Sequence, residues 1–311
     1  MLSKKVIYFL SLFLCIHFSI KSQDNRSLVE RLGYPVGTKL LIVHADDIGV
    51  SHSENAATFE AMAKGSVNSA SILVPCPWLS EVADYYKSHP DSDFGIHLAL
   101  TSEWKFYKWS PVLGRDKVPS LVNKDGYLYD NVPDVLKTAK LEEAEAELKA
   151  QIQKAIDMGI QPTHLDSHMG TLFSSPDMFA IYLKLGRQFG IPVMVSEEIL
   201  ERVPAYKALI QKEDIVIQKI LGAGEADFKT GFQDFYSKTL KNLSPGVNLM
   251  IIHAAYDDAE MQAITVDHPH WGATWRQQDF DFFSSEACKK ILKEQNIQLI
   301  TWKEIGKLIQ K

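Results

Sequence analysis

Residues 41–49 read LIVHADDIG: a near-continuous apolar run that leads into two adjacent carboxylates and a glycine. A near-continuous apolar stretch over 39–45 predicts a strand buried on both faces. Ser51-x-x-Glu54, just beyond it, predicts a capping box that opens a helix ending at Gly65. Two other segments repeat the theme, FGIHLAL at 94–100 and THLDSH at 163–168. Acids and imidazoles at the ends of core strands carry a large desolvation cost. A bound cation is the usual way to offset it, so the pattern predicts a metal-dependent enzyme.

Outward from these segments the chain alternates strand with helix. Strands are predicted over 69–74, 191–195 and 247–253, and helices over 78–88, 141–157, 176–189 and 234–242. Residues 197–229 read as mainly helical with a loop around 222–224, and 288–310 as helix, strand, helix. Such alternation predicts an α/β fold with a parallel sheet, in the form of a distorted TIM-like (β/α) barrel of a single domain over 23–311. Chemistry in such barrels sits at the carboxyl ends of the strands, where the three segments place their polar residues.

The first 22 residues read as a signal peptide: Lys4 and Lys5, a mostly apolar run over 6–20, then Ser22 before Gln23-Asp24-Asn25. The expectation is export to the periplasm or the extracellular space. Cleavage there removes three lysines and no acid, moving the formal charge from −6 to about −9. That balance makes nucleic acid and anionic membrane surfaces poor candidates as partners, so no nucleic acid is expected. Cys76 and Cys288 would be the remaining cysteines, too few for a disulfide scaffold. A homo-oligomer is left open.

Asp46 and Asp47 are close enough that a cation or a donor must stand beside them. One as metal ligand and the other as general base is the efficient division. A helix N-cap accounts for one of them but hardly both. His97 reads as a ligand or as a core donor. His164, Asp166 and His168 alternate and so share one strand face. His168, nearest the carboxyl end, is the ligand candidate, with Asp166 orienting an imidazole and His164 structural. His253 ends an apolar strand and is either a general acid or a backbone-bonded histidine. Arg276 and Asp279 read as a local ion pair at a helix start. Two long connections, 101–133 and 254–275, carry Trp104 and Trp271 among other aromatics, either to stack on sugar rings or to pin the loops.

Ala-Asp-Asp-Ile-Gly at 45–49, Gly-Ile-His-Leu at 95–98, Thr-His-Leu-Asp-Ser-His at 163–168 and the strand ending in His253 together resemble the YdjC/ChbG/HpnK carbohydrate deacetylases. The C-terminal stretch 276–305 is similar to that family's closing elements. The resemblance implies removal of N-acetyl groups from amino sugars with one divalent metal, Asp47, His97 and His168 as its ligands, Asp46 as base and His253 as acid. It implies an acetylated carbohydrate as substrate. On ligand softness zinc is favoured, with magnesium also open. Two departures stand out: Met169-Gly170-Thr171 follow the third motif where the family continues with histidines, and Ala254-Ala255-Tyr256 follow His253 in place of Pro-Gly. A hydrolase of another glycan or ester bond, and an exported carbohydrate-binding protein on an inactive barrel, are the rival readings.

Overall fold

A computed structural model describes residues 26–309, so the signal peptide expected over 1–22 lies outside the described residues. Among the described residues, seven strands carry the fold: β1 (Lys39–Ile48), β2 (Ser69–Ile72), β3 (Phe94–Leu98), β4 (Leu165–Ser167), β5 (Lys219–Gly222), β6 (Gly246–Ile252) and β7 (Ile297–Leu299). All are parallel, in the order β4-β3-β2-β1-β6-β5, with β7 beside the first residues of β1. The helices Leu141–Asp157 and Pro176–Phe189 match their predicted bounds.

The sheet closes through a segment that is not a regular strand. Leu165 N donates to Pro192 O and Met194 N to Leu165 O, while Ile217 N donates to Val195 O and Glu197 N to Ile217 O. Residues 192–197 thus join the β4 edge to Ile217, just ahead of β5, completing an irregular (β/α) barrel. The strand expected over 191–195 is present only as isolated bridges at Val193 and Ser196. The helical expectation for 197–229 is corrected. Short helices Glu197–Arg202 and Pro204–Lys207 give way to β5, followed by a helix over Glu225–Thr230. Lysines and glutamines flanking β5 imitate a solvated helix, but the open edge of β6 demands a hydrogen-bonded partner.

Alternation along each strand sorts its side chains into two layers. Leu41, Val43 and Ala45 pack outward into the main core beneath the helices. Leu40 and Ile42 join Val247, Leu249, Ile217, Met194 and Trp302 in a smaller apolar cluster. That cluster plugs the inside of the barrel at the amino ends of the strands. Towards the carboxyl ends the same inner face turns polar. His44, Ser69, Ser71, His97, His164 and Asp166 are all buried there. Gly95 makes room for this layer: a Cβ on it would meet His164 Nε2 at 2.3 Å.

Candidate metal centre and active site

The two adjacent aspartates reach one cleft because β1 carries an extra residue. Ala45 pairs with Ala70 and Ile48 with Ile72, so three steps on β1 oppose two on β2. Such a bulge re-aims a side chain. Asp47 takes up the distortion at φ 73°, in the left-handed region that aspartate tolerates better than most residues. Asp46 keeps the inward direction set by alternation, and Asp47 turns to the same mouth.

Asp47 Oδ1 lies 3.3 Å from His97 Nε2 and 3.5 Å from His168 Nδ1. It is buried with no hydrogen-bond partner. One ligand atom from each of Asp47, His97 and His168 falls within 4.8 Å of the others. A buried carboxylate oxygen flanked by two imidazole nitrogens fits a divalent cation, and two nitrogens with one oxygen suit a catalytic zinc site that keeps positions open.

Each ligand is backed by a second group, as metal sites generally require. Asp166 Oδ2 lies 3.0 Å from His97 Nδ1, which leaves Nε2 facing Asp47. Glu103 Oε2 lies 2.9 Å from His168 Nε2, which leaves Nδ1 for the same point. Arg276 Nη2 donates to Asp47 Oδ2 at 2.8 Å. Its Nη1 donates to Glu54 Oε1 at 2.5 Å and its Nε to Trp271 O at 2.7 Å. Arg276 therefore spans the mouth rather than forming the expected local pair with Asp279. That pair fails because Arg276 is the cation nearest to two buried acids that would otherwise be uncompensated.

The charges answer to these contacts. Burial alone would raise Asp47, but Arg276 and the two imidazoles hold it well below the usual carboxylate range. Burial disfavours the charged form of His44, yet Asp166 and Asp46 raise it to about 9. Burial and then Arg276 push His253 down to about 4, so it is neutral near neutral pH. Its Nε2 lies 3.8 Å from Asp46 Oδ2. Asp279 accepts the backbone N–H of His253 at 2.9 Å and the Tyr236 hydroxyl at 2.5 Å.

A cavity of about 640 Å³ opens over these groups, walled by Met169, Met194, Leu221, Trp104, Trp271 and their neighbours. The two tryptophans differ. Trp104 is buried, with the Arg276 guanidinium 5.4 Å above its ring. Trp271 is 36% exposed at the rim and stacks on Trp275. His164 lies beneath the site, stacked on Trp302, without reaching the cavity. Cys76 and Cys288 are both buried free thiols.

Three residues of the site were missed in the sequence. Glu54 reads in the sequence as half of a capping box. Its backbone N–H does donate to Ser51, but its carboxylate belongs to Arg276. Glu103 carries no local signal, since only the folded 101–133 connection brings it to His168. His44 did carry one: it stands two residues before Asp46 on a strand, hence on the same face.

The chain matches the YdjC-like protein family over residues 40–294. It is 29% identical over 286 residues to a carbohydrate deacetylase of Thermus thermophilus, covering 89% of this chain and 97% of that protein. It is 29% identical over 278 residues to a carbohydrate deacetylase of Brevibacillus brevis, covering 86% of this chain and 99% of the relative. The crystal structure of an Enterococcus faecalis V583 protein, described as a cellobiose-phosphate cleavage protein, superposes with a TM-score of 0.72. It is 25% identical to this chain, over 86% of this chain and 99% of that one. With most of its length matched and its ordered motifs gathered at one barrel mouth, this chain belongs to the YdjC-like family.

Proposed function

We propose that the protein is an exported, metal-dependent carbohydrate deacetylase that hydrolyses N-acetyl groups on an amino-sugar-containing oligo- or polysaccharide. The observation that carries the reading is the unpartnered Asp47 Oδ1 between His97 Nε2 and His168 Nδ1, with Asp46 Oδ2 facing the same mouth. The carbohydrate deacetylases among its relatives support the reaction class. The leader-like first 22 residues support export.

Asp47, His97 and His168 would hold the cation, zinc or magnesium. Bound there, it would polarise the acetyl carbonyl and acidify a water. The protein's own groups do the rest. Asp46 Oδ2 takes the proton of the attacking water. His253 faces Asp46 and is neutral at rest, so it relays that proton to the leaving amine. An imidazole of low pKa is a poor standing acid but releases a proton readily once it holds one. Water thus loses the proton that the amine gains, and acetate departs with the water's oxygen. Trp104 and Trp271 line the space where sugar rings would lie.

The test is acetate release from N-acetylated chito-oligosaccharides and peptidoglycan fragments, with and without a chelator. The expected result is chelator-sensitive release that Asp46→Asn reduces by about 10²-fold or more. No acetate from any amino sugar, with Asp46→Asn matching the parent, would sink the reading.

A further inference from the structure

The proton-taking role of Asp46 needs one of its oxygens aimed at the cavity, and nothing so far explains what holds it so. His44 lies fully buried on the inner face of β1. Its Nδ1 meets Ser69 Oγ at 2.9 Å. Its Nε2 lies 3.1 Å from Asp46 Oδ1 and 3.1 Å from Asp166 Oδ2. Ser71 Oγ is also near, at 3.2 Å, but spends its own hydrogen on Asp166 Oδ2 at 2.7 Å. All three neighbours of Nε2 therefore present acceptor oxygens, so the proton must sit on that nitrogen. On its other flank the ring meets His164 edge-on at 4.9 Å.

Given the deacetylase reading, we propose that His44 is a positioning residue for Asp46: the ion-pair contact of its imidazole holds Oδ1 inward and leaves Oδ2 as the oxygen presented to the reacting water. The two oxygens of Asp46 then have different surroundings. Oδ1 faces the imidazole, whereas Oδ2 lies 3.8 Å from His253 Nε2 and 3.9 Å from His97 Nε2. An aspartate at a strand end without this restraint could turn to offer both oxygens to the cation already served by Asp47. The Nε2–H itself bonds Asp166, whose Oδ2 lies 3.0 Å from His97 Nδ1. One imidazole thereby ties the base to the group behind a metal ligand. Two buried carboxylates so close together repel unless a shared donor stands between them.

The trio His44, Asp46 and Asp166 also brings its ligand atoms within 4.8 Å of one another, so a second cation there is the competing explanation. Nε2 hydrogen-bonds Asp166 Oδ2, while Asp46 Oδ1 lies at the same 3.1 Å as an ion-pair contact with no hydrogen-bond partner of its own, and a protonated imidazole serves both carboxylates without a metal.

The experiment compares His44→Gln, His44→Asn and the parent. A glutamine amide places N–H near the position of Nε2, whereas an asparagine amide reaches only as far as Nδ1. Each protein is assayed for kcat and KM of acetate release from N-acetylated chito-oligosaccharide, for metal content per chain, and for the Asp46 conformation in crystals. The expected result is a kcat lowered about 10²-fold in His44→Asn, with KM within about threefold. Metal content stays at the parent's one ion per chain, and at least tenfold of the loss is recovered in His44→Gln. Equal kcat in Asn and Gln variants, or a loss reversed by excess metal, would overturn the proposal. So would a parent holding two ions that falls to one in His44→Asn. If the parent releases no acetate at all, the deacetylase reading fails. The crystals then decide the positioning claim: Asp46 turned in the Asn variant but not in the Gln variant upholds it, and Asp46 unmoved in both refutes it.

Discussion

Arg276, from the helix Ala273–Phe283, reaches across the barrel mouth to Asp47 at the end of β1, with Nη2 donating to Oδ2 at 2.8 Å. The same guanidinium satisfies Glu54, so one cation serves two buried acids from different elements. Arg276→Met should cost roughly 3–5 kcal/mol, because it removes the guanidinium shared by two buried acids. Metal affinity should fall alongside, since Asp47 loses the group that keeps it ionised and oriented. Chemical denaturation and metal titration of the variant measure the two effects. Stability within 1 kcal/mol of the parent would show that Glu54 alone absorbs the change by taking up a proton.

Glu103 backs His168 from a connection far from the other motifs. Glu103→Gln keeps the shape but weakens the acceptor for His168 Nε2. The expected outcome is metal binding weaker by about 10–100-fold, with kcat largely regained at saturating metal. Isothermal titration of the metal-stripped protein checks it, and an unchanged affinity would remove Glu103 from the site.

Gly95→Ala would push a methyl group to 2.3 Å from the His164 imidazole. Both are buried, and His164 is packed against His44 and Trp302, so neither can yield cheaply. A loss of about 1–3 kcal/mol is expected from overpacking. The denaturant midpoint reads it directly. A neutral substitution would mean that β3 can shift away from β4.

Asp279 is raised to about 7 by burial, against the pull of Tyr236, the His253 N–H and Arg276. A carboxyl whose folded pKa exceeds its ordinary value of 3.8 binds its proton more tightly when folded. Its contribution is fully present below about pH 3.8 and is lost as pH rises through about 7. Asp279→Asn removes this dependence. Between pH 4.5 and 7.5 the melting temperature of the parent should therefore fall by several degrees relative to the variant. A constant difference across that range would mean that Asp279 stays ionised.

Trp271→Ala should raise KM for oligosaccharides several-fold while sparing kcat, because the ring stands at the rim and touches none of the reacting groups. Steady-state kinetics on mono- and oligosaccharides separate the two constants. An equal loss of kcat would place the ring closer to the chemistry than the rim.

Much of the barrel was legible because its signals are local. Continuous apolar runs mark strands buried on both faces, and the long amphipathic helices carry their own period and caps. The stretch around β5 was not legible. Its short, half-exposed strand pairs with β6 while Ile217, just before it, bridges to residues 195–197, a requirement set by barrel closure rather than by its own residues.

The same division holds at the site. Sequence alone determined that Asp46, Asp47, His97 and His168 end core strands, and that Asp166 shares a face with His168, because alternation and apolar runs are properties of neighbours along the chain. Only the tertiary structure decided which oxygen of which aspartate faces what. A one-residue bulge turns Asp47 to the mouth, Arg276 arrives from 229 residues away to hold it, Glu103 folds in behind His168, and His44 meets Asp166 across 122 residues. These are contacts between distant segments, fixed when the barrel closes and buries charges that must then find partners.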